Sequence, residues 1–320
     1  MIKIGITGCD NLRAAELVRV LINHPDVELR WVIGHTAAGE RLDRIVPGIV
    51  GECDLKVINA LDVPSDELDL VFMCDRRDRV PAVLERLALN EDTRVVDLSG
   101  CHNLAHGAEA QWKYGMSEMQ RRLLVHDTQR VTMPGNVAAA SLLALLPMVR
   151  NLLLNSPLTL HVAMGATAFP DDGKTIDGFD PETWAADQQR EVVYGLSQCQ
   201  SSFSQPLTLT VSPLVEPRAM AVAARFKCGV DGEMVRQLYD QYYDDHNFVF
   251  IVDHPISAAD VVNTNKCLIH LDKDDRTGEL TVHAVMDVLL KGSAGSAVHV
   301  MNLMFGLHER AGLALKGTGC

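Results

Sequence analysis

Residues 1–11 read MIKIGITGCDN, a largely apolar run with the pattern of a strand that ends in a glycine turn. The following residues, 12–23, place leucine, alanine and valine at helical spacing, and 28–33 again has the pattern of a strand. Strand, glycine turn, helix and strand in this order form the βαβ unit that opens a doubly wound parallel sheet. The chain is therefore predicted to begin with an α/β domain of the Rossmann type.

The βαβ pattern continues through the first half of the chain and then changes. Its further predicted elements are strands at 68–74 and 94–98 and helices at 80–89 and 136–146. Beyond 155 the strands outnumber the helices without alternating with them, which is typical of an α+β domain with a mostly antiparallel sheet. The predicted strands there are 159–164, 208–212, 219–227, 248–252, 267–271 and 280–286, and the helices are 184–197 and 232–243.

These patterns predict two domains, as expected for 320 residues, because single hydrophobic cores stop growing at about 250 residues. We expect a dinucleotide-binding domain of the Rossmann type at 1–147. We expect an α+β domain for substrate binding and oligomerisation at 148–292. The last stretch, 293–320, is predicted to return as a helix that packs on the first domain.

Composition and charge narrow the class of protein. The net charge of −13 disfavours nucleic acid and anionic membranes as partners. The longest apolar runs are shorter than the roughly 18 residues that a membrane span needs, and the first residues lack the pattern of a signal peptide. The eight cysteines are scattered without a C-x-x-C pair, so we expect small buried side chains and no metal site. The location expected from these features is the cytoplasm.

The glycine turn itself leaves two interpretations open. A dinucleotide-binding turn needs glycines, so that the backbone can approach a diphosphate. Gly5 and Gly8 are in place, whereas Asn11 stands at a further glycine position, where its tolerance of positive φ would preserve the turn. Asp10 would repel a diphosphate at short range. These residues alone fit a nucleotide turn and a plain strand-to-helix turn equally well.

Two arginines follow the third predicted strand, at the edge of the sheet where open α/β sheets bind ligands. Arg76 and Arg77 could hold the phosphate of a cofactor or another anion. The alternative, which the mixed charges of 75–79 favour, is a solvated loop.

The carboxyl-terminal string LLKGSAGSAV at 289–298, continued by MNLMFG at 301–306, closely resembles the ending of N-acetyl-γ-glutamyl-phosphate reductases. These belong to the broader aspartate-semialdehyde dehydrogenase-like group. Other matching segments follow in the same order and cover nearly the whole chain: 16–21, 23–29, 96–99, 112–115, 133–135 with 138–147, and 264–267. The resemblance implies the two-domain fold that the patterns predict.

The resemblance also implies a reaction: NADPH reduces an acyl phosphate through a thioester on a cysteine, and a histidine serves as acid and base. The cysteine belongs directly after Pro134 and Gly135, where this chain has Asn136. The histidine position falls on Gln188, while the family's nearby glutamate is kept as Glu191. A carboxamide cannot form a thioester, so we expect the acyl-phosphate reaction to be lost.

The cofactor segments depart from the family pattern as well. The first turn has Asn11 and Ala14 at glycine positions, and the loops at 75–78 and 165–169 lack the family's motifs. The cofactor that the resemblance implies is NADP or NAD, bound through a weakened motif or lost altogether. We assign the cofactor site to the matching positions Gly8, Asn11, Arg13, Arg76, Arg77, Ser99, Pro134, Gly135, Gly292, Gly295 and Asn302.

Two other cysteines are candidate replacement nucleophiles. Cys101 has His102 beside it, but neighbouring residues usually point apart, so a plain loop pair is favoured. Cys9 would have its thiolate favoured at a helix amino terminus, at a place suited to the diphosphate rather than to an acyl group. His24 is expected to be an ordinary surface or core residue. The acidic group around Asp240 and His246 is expected to be a solvated helix end.

Three functions follow. The preferred one is a divergent NAD(P)-dependent oxidoreductase that transfers hydride without a covalent intermediate, with Asn136 and Gln188 orienting a carbonyl or imine. The second is a non-catalytic relative that binds a metabolite or a partner subunit. The third, placed last on mechanism, is the acyl-phosphate reductase itself. The expected ligand is a small anionic metabolite, and the expected assembly is a homo-oligomer, a dimer or tetramer, formed through the second domain.

Overall fold

The computed structural model describes residues 1–59, 67–103, 111–125, 128–168 and 181–317. The chain divides into two compact units. The first comprises Met1–Pro134 with Ser293–Ala314, and the second comprises Gly135–Gly292 with Leu315–Cys320. The expected boundary at 147 thus falls inside a helix of the second unit, and the returning segment ends at Ala314 rather than at the chain's end.

The first unit is built on a seven-stranded sheet whose pairings are all parallel. The strand order is β3-β2-β1-β4-β5-β7-β6. Strands β2 and β3 lie on one side of β1 and the later strands lie on its other side, as in a doubly wound Rossmann sheet. Its strands are β1 (Ile2–Thr7), β2 (Val27–Gly34), β3 (Val57–Asn59), β4 (Leu70–Met73), β5 (Arg94–Asp97), β6 (Lys113–Tyr114) and β7 (Arg130–Thr132). Its helices are α1 (Leu12–Leu21), α2 (Leu42–Ile45), α3 (Val80–Leu87), α4 (Ser117–Val125) and, from the returning segment, α8 (Gly295–Met304).

Strand β1 lies in the interior of this sheet, between β2 and β4, and its last four residues are buried. Ile4 and Ile6 are fully buried. Gly5 lies against the indole of Trp31, where an added Cβ would come within 2.5 Å of the ring. The turn after β1 therefore lies between the carboxyl ends of β2 and β4.

The second unit is built on a six-stranded mixed sheet of order β11-β12-β13-β10-β8-β9. The three central pairings are antiparallel, as expected, and the two edge strands, β11 and β9, pair in parallel. Its strands are β8 (Leu158–Met164), β9 (Leu207–Pro213), β10 (Ala219–Lys227), β11 (Val249–Val252), β12 (Cys267–Asp274) and β13 (Glu279–Asp287). Its helices are α5 (Asn136–Arg150), α6 (Pro181–Cys199) and α7 (Gly232–Tyr243).

Helix α5 forms the core of the second unit. All residues from Val137 to Val149 are buried, and the helix contacts α6, α7, β10, β12 and β13. A helix that is apolar on every side must be enclosed by its own unit. This packing is why the unit boundary comes at Pro134, ahead of the expected position.

Short or terminal elements account for most differences from the predicted secondary structure. The pattern did not reveal β3, β6 or β7, of three, two and three residues. The last helix was expected over 293–320 but ends at Met304, after a π-helical turn at Leu290–Ala294. In the part of the chain that the structure describes, no helix is long and apolar enough to cross a membrane.

Candidate functional site

The start of α5 carries the residue at the expected nucleophile position. Gly135 is the N-cap and Asn136 is the first helical residue. The amide nitrogen of Asn136 donates to the carbonyl of Ala168 at 3.2 Å, and its oxygen accepts the N–H of Val137 at 2.8 Å. The side chain is therefore held by residues of its own unit. These two bonds use the amide oxygen and one of the two amide hydrogens.

Helix α6 brings the other two predicted catalytic positions to the same place. Glu191, which is 1% exposed, accepts the N–H of Gly135 at 3.0 Å. A Cβ added at Gly135 would lie 2.9 Å from Glu191 Oε2 and 3.3 Å from Gln188 Oε1. The structure thus brings Asn136, Gln188 and Glu191 together around the turn. The contact gives Glu191 a role in holding Gly135, and its direct action on a ligand stays a prediction.

The segment before α8 closes another side of this group. An added Cβ at Gly292 would lie 3.4 Å from the Cβ of Asn136 and 3.2 Å from Cε of Met286. An added Cβ would thus be in ordinary contact with Asn136 and slightly tight against the flexible end of Met286. Gly292 therefore lies beside Asn136, within the second unit.

An ion pair that the sequence did not reveal lies at the end of β13. The guanidinium of Arg218 donates to the fully buried carboxylate of Asp287 at 3.0 and 3.3 Å. The same carboxylate accepts the N–H groups of Asn263, Leu289 and Leu290. Asp287 therefore fixes the backbone that leads to Gly292. Sequence patterns give no signal for such a pair, because its members lie 69 residues apart.

The group around Asn136 can bind and orient a ligand without covalent chemistry. Its polar side chains are two carboxamides and a carboxylate, and the group lies at the amino terminus of a 15-residue helix, where the dipole favours negative charge. A carboxamide donates and accepts hydrogen bonds but does not exchange protons near neutral pH. The hydrogen-bonding groups of this arrangement suit a carbonyl as ligand.

In the first unit the glycine turn has the shape of a nucleotide-binding turn at Gly8. This residue has φ +71°, and an added Cβ would lie 2.5 Å from the backbone nitrogen of Asp75. Gly8 thus permits the tight turn between β1 and α1 that dinucleotide-binding folds require. The conformation of Gly8 is therefore compatible with a dinucleotide bound at this turn.

Asn11 keeps the turn by a different route from the expected one. Its φ is −142°, so the expectation of a positive φ was wrong. Instead its side chain caps α1 by accepting the N–H of Ala14 at 3.0 Å, and it donates to the carbonyls of Gly8 and Cys74, both at 2.8 Å. One carboxamide thereby joins the turn, the helix and the end of β4.

Asp75 and His35, which the sequence did not single out, meet at the carboxyl edge of the sheet. The fully buried carboxylate of Asp75 accepts hydrogen bonds from the hydroxyl of Thr7 and from Nε2 of His35, the latter at 2.7 Å. Asp75 was expected in a solvated loop. It is buried because β1 pairs with β4, which brings Thr7 beside the end of that strand.

The predicted arginines have partners within the chain. Arg13 donates to the carbonyl of Leu98, and Arg76 pairs with Asp78 at 3.3 Å on the surface. Arg77 lies with Nη2 3.1 Å from the position of an added Cβ at Gly100. The pairing of Arg76 supports the solvated-loop alternative for that residue. Phosphate binding by any of the three stays a prediction.

Ser99 belongs to a turn organised by Asp97. The backbone N–H of Ser99 donates to Asp97 Oδ1 at 2.8 Å, and its hydroxyl accepts the N–H of Cys101 at 2.9 Å. Nδ1 of His102 lies 2.8 Å from Asp97 Oδ2, and its ring stacks on Trp112 at 3.8 Å between centroids. His102 is thus bound to Asp97.

Neither Cys9 nor Cys101 has the properties of an activated nucleophile. Burial, followed by the charge of Asp10, raises the pKa of Cys9 to about 12, so the expected thiolate at the helix start was wrong. Burial and then Asp97 raise the pKa of Cys101. Both remain thiols near neutral pH.

The two predicted cofactor positions in α8 are buried in the first unit. Asn302 accepts a hydrogen bond from Nε2 of His24 at 3.0 Å and donates to the carbonyls of Glu309 and Ala311 at 3.1 and 3.0 Å. These bonds hold the returning segment. Gly295 begins the same helix. Contact of either residue with a cofactor stays a prediction.

Metal-ligating residues do not converge in the described parts of the chain, where no group of three or more His, Cys, Asp and Glu side chains is arranged to hold an ion. In the acidic group at the end of α7, Asp240 pairs with Arg236 at 2.8 Å, and His246 stacks on Tyr242. This group has the contacts of an ordinary helix end.

Comparison with protein families gives two matches. Residues 3–126 match the family described as semialdehyde dehydrogenase, NAD binding domain. Residues 188–287 match the family described as semialdehyde dehydrogenase, dimerisation domain.

Relatives that match the chain over nearly its full length are named N-acetyl-gamma-glutamyl-phosphate reductase. Those of Parabacteroides distasonis and Phocaeicola vulgatus are each 35% identical, over 99% of this chain and 99% of their own. Among solved structures, aspartate semialdehyde dehydrogenase II of Vibrio cholerae, complexed with ASA, has a TM-score of 0.73 at 12% identity and covers 96% of this chain and 98% of its own. The aspartate semialdehyde dehydrogenase of Candida albicans, with NADP, has a TM-score of 0.67 at 12% identity, covering 95% and 98%. These structures share the fold.

Proposed function

Because the chain belongs to the N-acetyl-γ-glutamyl-phosphate reductase family, we propose that it is a nicotinamide dinucleotide-dependent oxidoreductase that acts on a carbonyl compound without forming a thioester. The main support is the position of the Asn136 side chain, which hydrogen bonds to Ala168 and Val137 hold at the start of α5. A carboxamide fixed there can bind a carbonyl oxygen but cannot attack it.

The chain's own residues then perform binding and orientation. The second amide hydrogen of Asn136 would donate to the ligand oxygen and stabilise negative charge that develops on it. Gln188 would add a neutral hydrogen bond, while Glu191 holds the N–H of Gly135 and thereby the turn. The dinucleotide supplies or accepts hydride when bound. The positive end of α5 favours a small anionic metabolite as the ligand.

A second candidate is the reductase activity for which the relatives are named. Identity of 35% across 99% of both chains favours it, and more strongly than the sequence patterns suggested. It requires a nucleophile from elsewhere. The described cysteines of the second unit are Cys199, whose pKa burial raises, and the fully packed Cys228 and Cys267. We therefore place this function second.

The decisive experiment measures both reactions with the purified full chain. Nicotinamide fluorescence reports binding of NADH and NADPH, and absorbance at the nicotinamide band reports turnover. We expect binding, turnover on a panel of anionic semialdehydes, ketones or imines, and no oxidation of N-acetylglutamate semialdehyde that depends on phosphate. Phosphate-dependent oxidation by the unaltered chain would establish the second candidate instead.

Variants of α5 test the role of its first residue. Asn136→Cys places a thiol at the positive end of the helix, whereas Asn151→Cys places one at its carboxyl end as a matched control. We expect iodoacetamide to modify the first about tenfold faster, because the helix dipole favours a thiolate there. In the binding experiment on the unaltered chain, failure to bind either dinucleotide at millimolar concentration would leave a non-catalytic binding protein as the function.

We also propose that the chain forms a homo-oligomer through the mixed sheet of the second unit. Support comes from the description of the family matched by 188–287 as a dimerisation domain. The polar residues His161, Thr210 and Ser212 line one face of β8 and β9, where they hydrogen-bond to one another. Light scattering during size-exclusion chromatography tests the proposal, and a monomer at micromolar concentration would contradict it.

A further inference from the structure

The loop after β2 presents hydrogen-bond donors that bind the carboxylate of Asp10. β2 ends at Gly34, and His35 and Thr36 follow. Asp10, from the glycine turn, accepts the backbone N–H of His35 at 2.7 Å, the N–H of Thr36 at 3.2 Å and the hydroxyl of Thr36 at 2.5 Å. Three donors thus converge on one carboxylate.

The position of this carboxylate follows from the strand order. Because β1 lies beside β2, the turn after β1 reaches the end of β2: Cys9 donates to the carbonyl of Ile33 at 3.0 Å. In dinucleotide-binding folds the loop after the second strand reads the adenosine ribose. An acidic residue there binds the 2′-hydroxyl of NAD, whereas an arginine nearby accommodates the 2′-phosphate of NADP.

Asp10 is ionised and still reaches solvent. Burial opposes its charge, but the hydrogen bonds from Thr36 and His35 outweigh burial and lower its pKa. Its side chain remains exposed. A second carboxylate, Asp75, lies behind the same loop, bound to the imidazole of His35. Two acidic side chains thus lie at the carboxyl edge of the sheet: Asp10 accepts the backbone N–H of His35, and Asp75 binds its imidazole.

The first arginine or lysine after β2 is already paired. Arg41 donates to Asp43 at 2.6 Å and lies 3.0 Å from Asp54. The N–H groups that could receive a 2′-phosphate are bound to Asp10, and a phosphate placed beside it would meet a like charge at short range.

We propose that Asp10 makes this chain selective for NAD(H) over NADP(H), by accepting a hydrogen bond from the ribose 2′-hydroxyl and excluding a 2′-phosphate. The inference rests on the proposed function, since it concerns the form of the dinucleotide that the same site binds. Asp10 acts here through the adenosine end of the dinucleotide and not on the reacting atoms.

The test compares dissociation constants by calorimetry and nicotinamide fluorescence, without any substrate. We expect the unaltered chain to bind NADH at least about tenfold more tightly than NADPH. Asp10→Asn removes the charge and keeps the size of the side chain. Its ratio of the NADPH to the NADH dissociation constant should fall by about tenfold, mainly through tighter NADPH binding.

Glu40→Gln is the matched control, because it removes the same charge from an exposed residue a few positions along the same loop, where it pairs with Arg44. Its ratio should stay within about twofold of the unaltered chain. Thermal unfolding of each variant verifies the fold. NADPH binding as tight as NADH, or an equal change of the ratio in Glu40→Gln, would overturn the selectivity alone. Binding of neither dinucleotide would overturn the proposed function together with it.

Discussion

At the scale of single residues, two asparagines stand at positions that the resemblance assigns to a cysteine and a glycine, and their side chains have different contacts in the structure. Asn136 is the first residue of a helix and presents its amide at the site. Asn11 precedes a helix and uses both ends of its amide within the fold, accepting from Ala14 and donating to Gly8 and Cys74. The first is proposed to bind the ligand, and the second holds a turn.

Asn11→Asp tests this assignment, because aspartate caps helices as well as asparagine does. The new carboxylate would face the carbonyl oxygens of Gly8 and Cys74, which lose their donor. We expect the free energy of unfolding to fall by about 1–3 kcal/mol, as measured by urea denaturation. Asp231→Asn exchanges the same two residues at the N-cap of α7, where the side chain only accepts, from Met234. It should change stability by less than about 0.5 kcal/mol. Equal effects in the two variants would contradict the role of the donated hydrogen bonds.

At the scale of elements, α5 contains a proline that the rest of the unit accommodates. Pro147 has no N–H, so the carbonyl of Leu143 lacks its partner within the helix. The hydroxyl of Tyr243 on α7 donates to that carbonyl. The neighbouring Tyr239 donates to the carbonyl of Ala144 at 2.5 Å, which by helical geometry also receives the N–H of Met148.

This difference predicts unequal effects of the same deletion. Tyr243→Phe should lower the free energy of unfolding by about 1–3 kcal/mol, because it leaves a buried carbonyl without a donor. Tyr239→Phe should cost less than about 1 kcal/mol, since the carbonyl of Ala144 keeps its helical bond. Adding Pro147→Ala to Tyr243→Phe restores the missing N–H and should recover part of the loss. Urea denaturation measures all three, and equal losses in the two single variants would refute the explanation.

Sequence patterns predicted the long elements of both units because periodicity over many residues reports which face is buried. They did not predict β3 or β6, since two or three residues at the edge of a sheet carry too little periodicity to stand out. They also placed α5 in the first unit. Its apolar character was visible, but which sheet it packs against depends on strands that lie many residues further along the chain.

At the scale of the whole molecule, the chain's end returns to its beginning at His24. This buried residue donates from Nε2 to Asn302, which is 278 residues away, and accepts the N–H of Asp26 at Nδ1, 3.2 Å away. Burial lowers the pKa of His24, and the bond to Asn302 offsets this only in part. The folded protein therefore holds the ring neutral where the unfolded chain, with a pKa near 6.5, takes up a proton.

Stability should consequently fall on mild acidification. As pH drops from 7.5 to 5.5 the unfolded state binds the proton first, so the contribution of His24 is present above about pH 6.5 and is lost below it. Urea denaturation at several pH values measures the slope. His24→Gln should flatten it, whereas His254→Gln, at an exposed position in the second unit, should leave it unchanged. An unchanged slope in His24→Gln would contradict the assignment.

The fold class could be predicted from the sequence, because burial periodicity and an ordered set of family segments are local properties that can be read along the chain. The same resemblance predicts that Asn136 stands where the family has a cysteine. The contacts of Asp10 and Asp75, by contrast, could be found only in the folded chain. Their partners, His35, Thr36 and Thr7, lie 25 to 68 residues away and meet them because β1 runs between β2 and β4. Hydrogen bonds across a sheet depend on strand order, and strand order is a property of the packed chain.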